Sequence, residues 1–169
     1  MTINEFNTLS ETDAQEALMR CCGSGSWSQQ VAEKRPFVSI EQLKADSDAV
    51  WAQCGEADYL EAFSHHPKIG DVSELEKKFA STAKWSEGEQ GSAVASADGN
   101  VLQALKEGND AYDDKFGFIF IVCATGKSAS EMLALLNARL PNNRATELQN
   151  AAEEQRKITH LRLDKLFGE

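Results

Sequence analysis

The sequence predicts an all-α protein, a compact single-domain helical bundle, and three observations carry that prediction. Ser, Thr or Asp-type caps recur at spacings that open helices, as in the capping-box pairs Ser39/Gln42, Ser128/Glu131 and Thr146/Gln149. Apolar residues follow these caps at three- and four-residue intervals. The one run rich in β-branched and aromatic residues, Phe116 to Val122, has no second run to pair with, so its backbone groups could not be satisfied as a sheet. With 169 residues the chain is long enough for one domain with a real core, expected to span 1–169.

The elements follow in order. Ser10 caps a helix whose inner face is Ala14, Ala17, Leu18 and Cys21, ended by Gly23. A short helix after Ser26 carries Trp27 and Val31 and stops before Arg35-Pro36-Phe37. A third runs from Ser39 to Cys54 on Leu43, Val50 and Trp51 and is closed by Gly55. Asp58 to Ser64 forms a fourth, and Ser73 to Ala80 another short one. Asn100 to Phe116 and Ser128 to Leu140 read as longer amphipathic helices; Pro141 and Asn142-Asn143 break the chain, and a last helix runs from Thr146 to Phe167. Phe116 to Val122 is expected as a buried helix entry or an extended stretch between helices, whose backbone could serve a ligand.

Composition narrows the function. The 17 basic and 27 acidic side chains give a formal net charge of −10, which offers no field to attract a phosphate backbone or an anionic membrane, so neither nucleic acid nor membrane is expected as a partner. The beginning of the chain lacks the pattern of a signal peptide, and a place inside the cell is expected. Cys21, Cys22, Cys54 and Cys123 show neither zinc-site spacing nor disulfide density and read as reduced, mostly buried thiols.

Three constellations could carry chemistry. In His65-His66-Pro67-Lys68-Ile69-Gly70-Asp71, Pro67 drives the preceding residue out of the α region, so a helix must stop at the histidines. A helix C-terminus favours imidazolium, which makes His66 a positioned proton donor; the bland alternative is a structural histidine. In Trp85-Ser86-Glu87-Gly88-Glu89-Gln90, Ser86 and Glu89 have capping-box spacing, and the same groups make a mixed set of donors and acceptors that suits a polar ring or urea-like ligand. Helical arithmetic singles out the third. With Leu148 at 0° and about 100° per residue, the apolar positions of the last helix fill an arc from about 280° to about 60°, and Arg162 falls at about 320°. An inward guanidinium needs an internal carboxylate or an anionic ligand. Lys157 and His160 face away and should be solvated.

Two other readings fail on spacing. Thr125-Gly126-Lys127-Ser128 looks like the end of a phosphate-binding loop, but the motif needs Gly where Ile121 stands. His65, His66, Asp71 and Glu89 match no recognised ligand spacing, so no metal is expected.

Taken together, His66-Pro67-x-Ile69-Gly70, Ser86-x-x-Glu89-Gln90, Lys115-Phe116-Gly117-Phe118-x-Phe120 and Ile158-x-x-x-Arg162-Leu163 resemble the 2-oxo-4-hydroxy-4-carboxy-5-ureidoimidazoline (OHCU) decarboxylase family, with Arg35-Pro36-Phe37 and Ala45-Asp46 fitting as well. The motifs occur in order over nearly the whole chain. The resemblance implies an all-helical, usually dimeric lyase without a cofactor that removes CO₂ from a small ureidoimidazoline to give (S)-allantoin in urate degradation. It implies His66, Glu89 and Arg162 as catalytic residues. It implies Pro67, Ser86, Glu87, Gly88 and Gln90, with the backbone of Ile119, Phe120, Ile121, Val122 and Cys123, as the substrate lining. Ile119 departs from the pattern, since many relatives carry proline there. The ending Phe167-Gly168-Glu169 lacks the family's peroxisomal tripeptide and fits a cytoplasmic enzyme. The alternative from another class is a non-catalytic ligand-binding or adaptor protein, in which Arg162 and Glu89 form only an ion pair and His66 only ends a helix.

Overall fold

Side-chain caps mark where nearly every helix begins, because the first N–H groups of a helix have no partner within it. In the computed structural model, which describes residues 1–67, 77 and 99–168, eight helices are present and no strand is found among the described residues. They are α1 (Ile3–Thr8), α2 (Glu11–Met19), α3 (Gly25–Glu33), α4 (Ile40–Gln53), α5 (Glu56–Ser64), α6 (Gly99–Phe116), α7 (Ala129–Arg139) and α8 (Arg144–Leu166). The all-α reading therefore holds. Ser10, Ser39 and Ser128 cap α2, α4 and α7 as expected, accepting from Asp13, Gln42 and Glu131.

The differences lie at helix starts. α1 escaped the sequence reading because it has one buried apolar residue, Phe6, and hence no periodicity; its Thr2/Glu5 capping box was the available signal. α3 is capped by Ser24 instead of Ser26, with Ser24 Oγ accepting from Trp27 N at 3.2 Å. α5 starts at Glu56, with Asp58 accepting from Gly55 N. Asn143, expected as a breaker, caps α8 by accepting from Thr146 N at 2.8 Å. Of the helix expected over Ser73 to Ala80, all but Lys77 lies outside the described residues.

The chain divides into two compact units, Met1–His66 with Leu148–Glu169, and Pro67–Glu147. The first holds its core around Phe6, Leu18, Trp27, Phe37, Leu43 and Phe63, all buried. Its buried polar ends find backbone partners: Trp27 Nε1 donates to Ser47 O at 3.1 Å, Trp51 Nε1 to Ala152 O at 2.9 Å and Tyr59 OH to Trp51 O at 3.2 Å. Arg35 ties α1 to the end of α3 by donating to the carbonyls of Phe6, Leu9 and Ala32.

In the second unit α6 ends at Gly117, whose φ of +80° places it in the left-handed region glycine tolerates, with its N–H on Asp113 O. The chain then runs without helix or strand to Ala124. Phe116, Phe118 and Phe120 turn inward around Tyr112, with ring centroids 4.5, 5.9 and 5.2 Å from it, while Ile119 is half-buried. The segment is not a strand because side chains take its carbonyls: Arg139 Nη1 donates to Ile121 O at 2.7 Å and Lys127 Nζ to Cys123 O at 2.8 Å. Arg139 is anchored in turn by Glu147. That fully buried carboxylate accepts from Arg139 Nε and Tyr112 OH, both at 2.7 Å, and from Asn142 Nδ2 at 2.9 Å. Burial and the bond to Glu147 push the Tyr112 phenol well above its ordinary range, so it remains a donor.

Candidate active site

His66 stands where the sequence puts it, just past a helix end. α5 closes with His65 as C-cap, and the N–H groups of His65 and His66 bond to the carbonyls of Ala62 and Phe63 at 3.2 and 3.1 Å. Tyr59 and Phe63, stacked at 6.5 Å and buried, root that end in the core. Gly23 sits tightly beneath it: a Cβ there would come within 2.5 Å of His65 Cγ and 2.7 Å of His65 Cβ. The glycine is required because the His65 ring occupies that space.

The imidazole of His66 reaches α8, its Nε2 lying 2.5 Å from Oε1 of Gln155. Gln155 is fully buried and donates from its own Nε2 to Thr159 Oγ1 at 3.2 Å; Thr159 is also buried. One turn further along, Arg162 is half-buried and donates from Nη1 to Cys21 O at 3.4 Å. Among the described residues no carboxylate pairs with Arg162, so the internal partner that its inward position demands is not found there. His66 and Arg162 thus address one stripe of α8, with Gln155 and Arg162 about 10 Å apart along the axis. Cys21 and Cys22, which end the neighbouring α2 segment, are buried thiols pushed up by desolvation to about 11 and about 12, so they stay protonated and unreactive near neutrality.

Residues 7–164 match the family OHCU decarboxylase. The chain belongs to that family. It is 42% identical over 151 residues, 88% of its length, to the uric acid degradation bifunctional protein TTL of Arabidopsis thaliana, and 30% identical over its whole length to the uric acid degradation bifunctional protein of Bacillus sp. (strain TB-90). It spans 46% and 33% of the length of those two proteins. Among solved structures, a crystal structure of OHCU decarboxylase in the presence of (S)-allantoin superposes with a TM-score of 0.72 at 37% identity, covering 92% of this chain and 99% of that one.

Against the OHCU decarboxylase pattern, His66 and Arg162 fall in the first unit. Pro67, exposed, opens the second, which also carries Ile119, Phe120, Ile121, Val122 and Cys123. In that stretch Phe120 and Ile121 are buried, and Ile119, Val122 and Cys123 are half-buried. Ser86, Glu87, Gly88, Glu89 and Gln90 lie outside the described residues, as do Ile69, Gly70 and Asp71. Gln155 and Thr159 went unnoticed in the sequence although the signal was there. The arithmetic that turns Arg162 inward places them at about 340° and about 20°, inside the same apolar arc, with Gln155 nearest its centre. His160 also departs from expectation: it is half-buried, with Nε2 2.7 Å from Asp48 Oδ1, where Arg156 also binds.

Proposed function

We propose that this protein is an OHCU decarboxylase, converting 2-oxo-4-hydroxy-4-carboxy-5-ureidoimidazoline to (S)-allantoin without a cofactor. The carrying observation is the pairing of family membership with a half-buried Arg162 that has no carboxylate partner among the described residues, two turns from the amide that holds His66. Such a guanidinium suits an anionic substrate, and a planar fork orients a carboxylate better than a point charge does.

Loss of CO₂ leaves an electron pair that the substrate's own C=O and C=N system accepts, so the protein needs to orient the anion, stabilise the developing charge and protonate one face. In this reading Arg162 and backbone N–H groups of Ile119 to Cys123 bind the anion, and Glu89 and Gln90 hold the ureido or ring N–H groups, with Pro67 and Ser86 to Gly88 completing the lining. His66 hydrogen-bonds the reacting carboxylate or hydroxyl and delivers the proton from one side. A cytoplasmic homodimer acting on this small molecule belongs to the same proposal. Among the described residues no helix is long and apolar enough to cross a membrane.

The test is stereochemical. Urate oxidised in situ breaks down unaided to racemic allantoin, whereas the protein should give the S product in excess, read by circular dichroism at enzyme levels where catalysis outruns the spontaneous path. Racemic product from the wild type would leave the adaptor reading in its place.

A further inference from the structure

The side chain of Gln155 lies between a ring that can donate or accept and a hydroxyl already committed. Thr159 gives its hydroxyl hydrogen to the Gln155 backbone carbonyl at 2.9 Å, so its oxygen is left to accept, and it accepts from Gln155 Nε2. With the NH₂ end of the amide spent on Thr159, the oxygen end faces His66. A carbonyl oxygen brings no proton, so the hydrogen in that contact must belong to the imidazole. Gln155 is fully buried and Thr159 is 4% exposed, which keeps water from supplying a competing partner to either.

We propose that Gln155 is a positioning residue that holds neutral His66 as its Nε2–H tautomer, making Nδ1 the atom that takes and returns the proton during turnover. The catalytic half of this statement rests on the decarboxylase reading; the tautomer does not. In balance, Nδ1 takes the proton of the substrate hydroxyl as imidazolium forms, the C–CO₂ bond breaks and leaves its electron pair in the ring's conjugated system, and the imidazolium surrenders that proton to the ring carbon that becomes chiral, while Nε2 keeps its hydrogen on Gln155 throughout. Thr159 acts at one remove, by fixing which end of the amide His66 meets.

Long-range ¹H–¹⁵N correlation spectra of the intact protein, at about pH 8.5 where an ordinary histidine is neutral, report the tautomer directly. Wild type should show Nε2–H, and an Nδ1–H ring would overturn the proposal. Gln155→Met, close in volume but without the acceptor, should give mixed tautomers. It should also lower kcat about 10- to 100-fold, the usual effect of losing a partner that orients a histidine, with KM changed less than about threefold. Thr159→Val leaves Gln155 in place but frees the amide to turn over, and should mix the tautomers as well. A fall in kcat with the tautomer unchanged in both variants would assign Gln155 to structure alone and refute the positioning role. If wild type shows Nε2–H yet makes no excess of (S)-allantoin, the decarboxylase reading falls and the hold of Gln155 on His66 stands.

Discussion

Replacing Glu147 by Gln tests how the segment proposed to face the substrate, Ile119 to Cys123, is held. The carboxylate is fully buried and the Arg139 side chain is only 12% exposed, with Nε and Oε1 2.7 Å apart, so the substitution strands a guanidinium away from solvent. Removing one partner of a buried pair costs about 3–5 kcal/mol, because the remaining charge has lost its counter-charge but not its desolvation. Gln keeps an oxygen for Tyr112 OH, and the cost should therefore lie at the lower end, about 3 kcal/mol. With a urea m-value of about 2 kcal/mol/M the midpoint should fall by roughly 1.5 M. Arg139→Met added to Glu147→Gln removes the stranded charge and should recover about 1–3 kcal/mol. That double variant should still lose activity, since the Ile121 carbonyl has lost its donor. A midpoint shift under about 0.5 M for Glu147→Gln, or strictly additive effects of the two substitutions, would refute the reasoning.

Other outcomes follow from the same geometry. Gly23→Ala should push His65 aside and with it the end of α5, lowering activity, and His65→Gly in the same chain should restore it; an unaltered rate for Gly23→Ala alone would show that the contact bears no load. His66→Ala should leave the fold intact by circular dichroism and cut turnover about 10²–10⁴-fold. Arg162→Lys should raise KM with little change in thermal stability; a stability loss with normal kinetics would point instead to an internal ion pair. Stability should also fall as pH rises from about 9 toward 11–12. Cys21, Cys22 and Cys54 have their folded values raised by burial above the ordinary 9.0, so the unfolded chain releases those protons first and gains from alkali. Urea midpoints at pH 8 and pH 10.5 measure this, and serine at the three positions should flatten the decline.

Much of this protein was legible in its sequence because helix starts and stops are local. Ser10, Ser39 and Ser128 cap from three residues away, and Pro67 ends α5 through its own ring, so each acts without help from the rest of the chain. The inward face of α8 was equally readable, since it depends only on helical period. The tertiary structure decided who meets whom on that face. His66 and Gln155 are 89 residues apart and Arg162 and Cys21 are 141 apart, and no periodicity links such pairs. It also decided why Phe116 to Val122 is not a strand: the groups that satisfy the Phe116 and Ile121 carbonyls sit on Arg144 and Arg139, 28 and 18 residues away, and a distant side chain that captures a carbonyl leaves no mark in the run it stabilises.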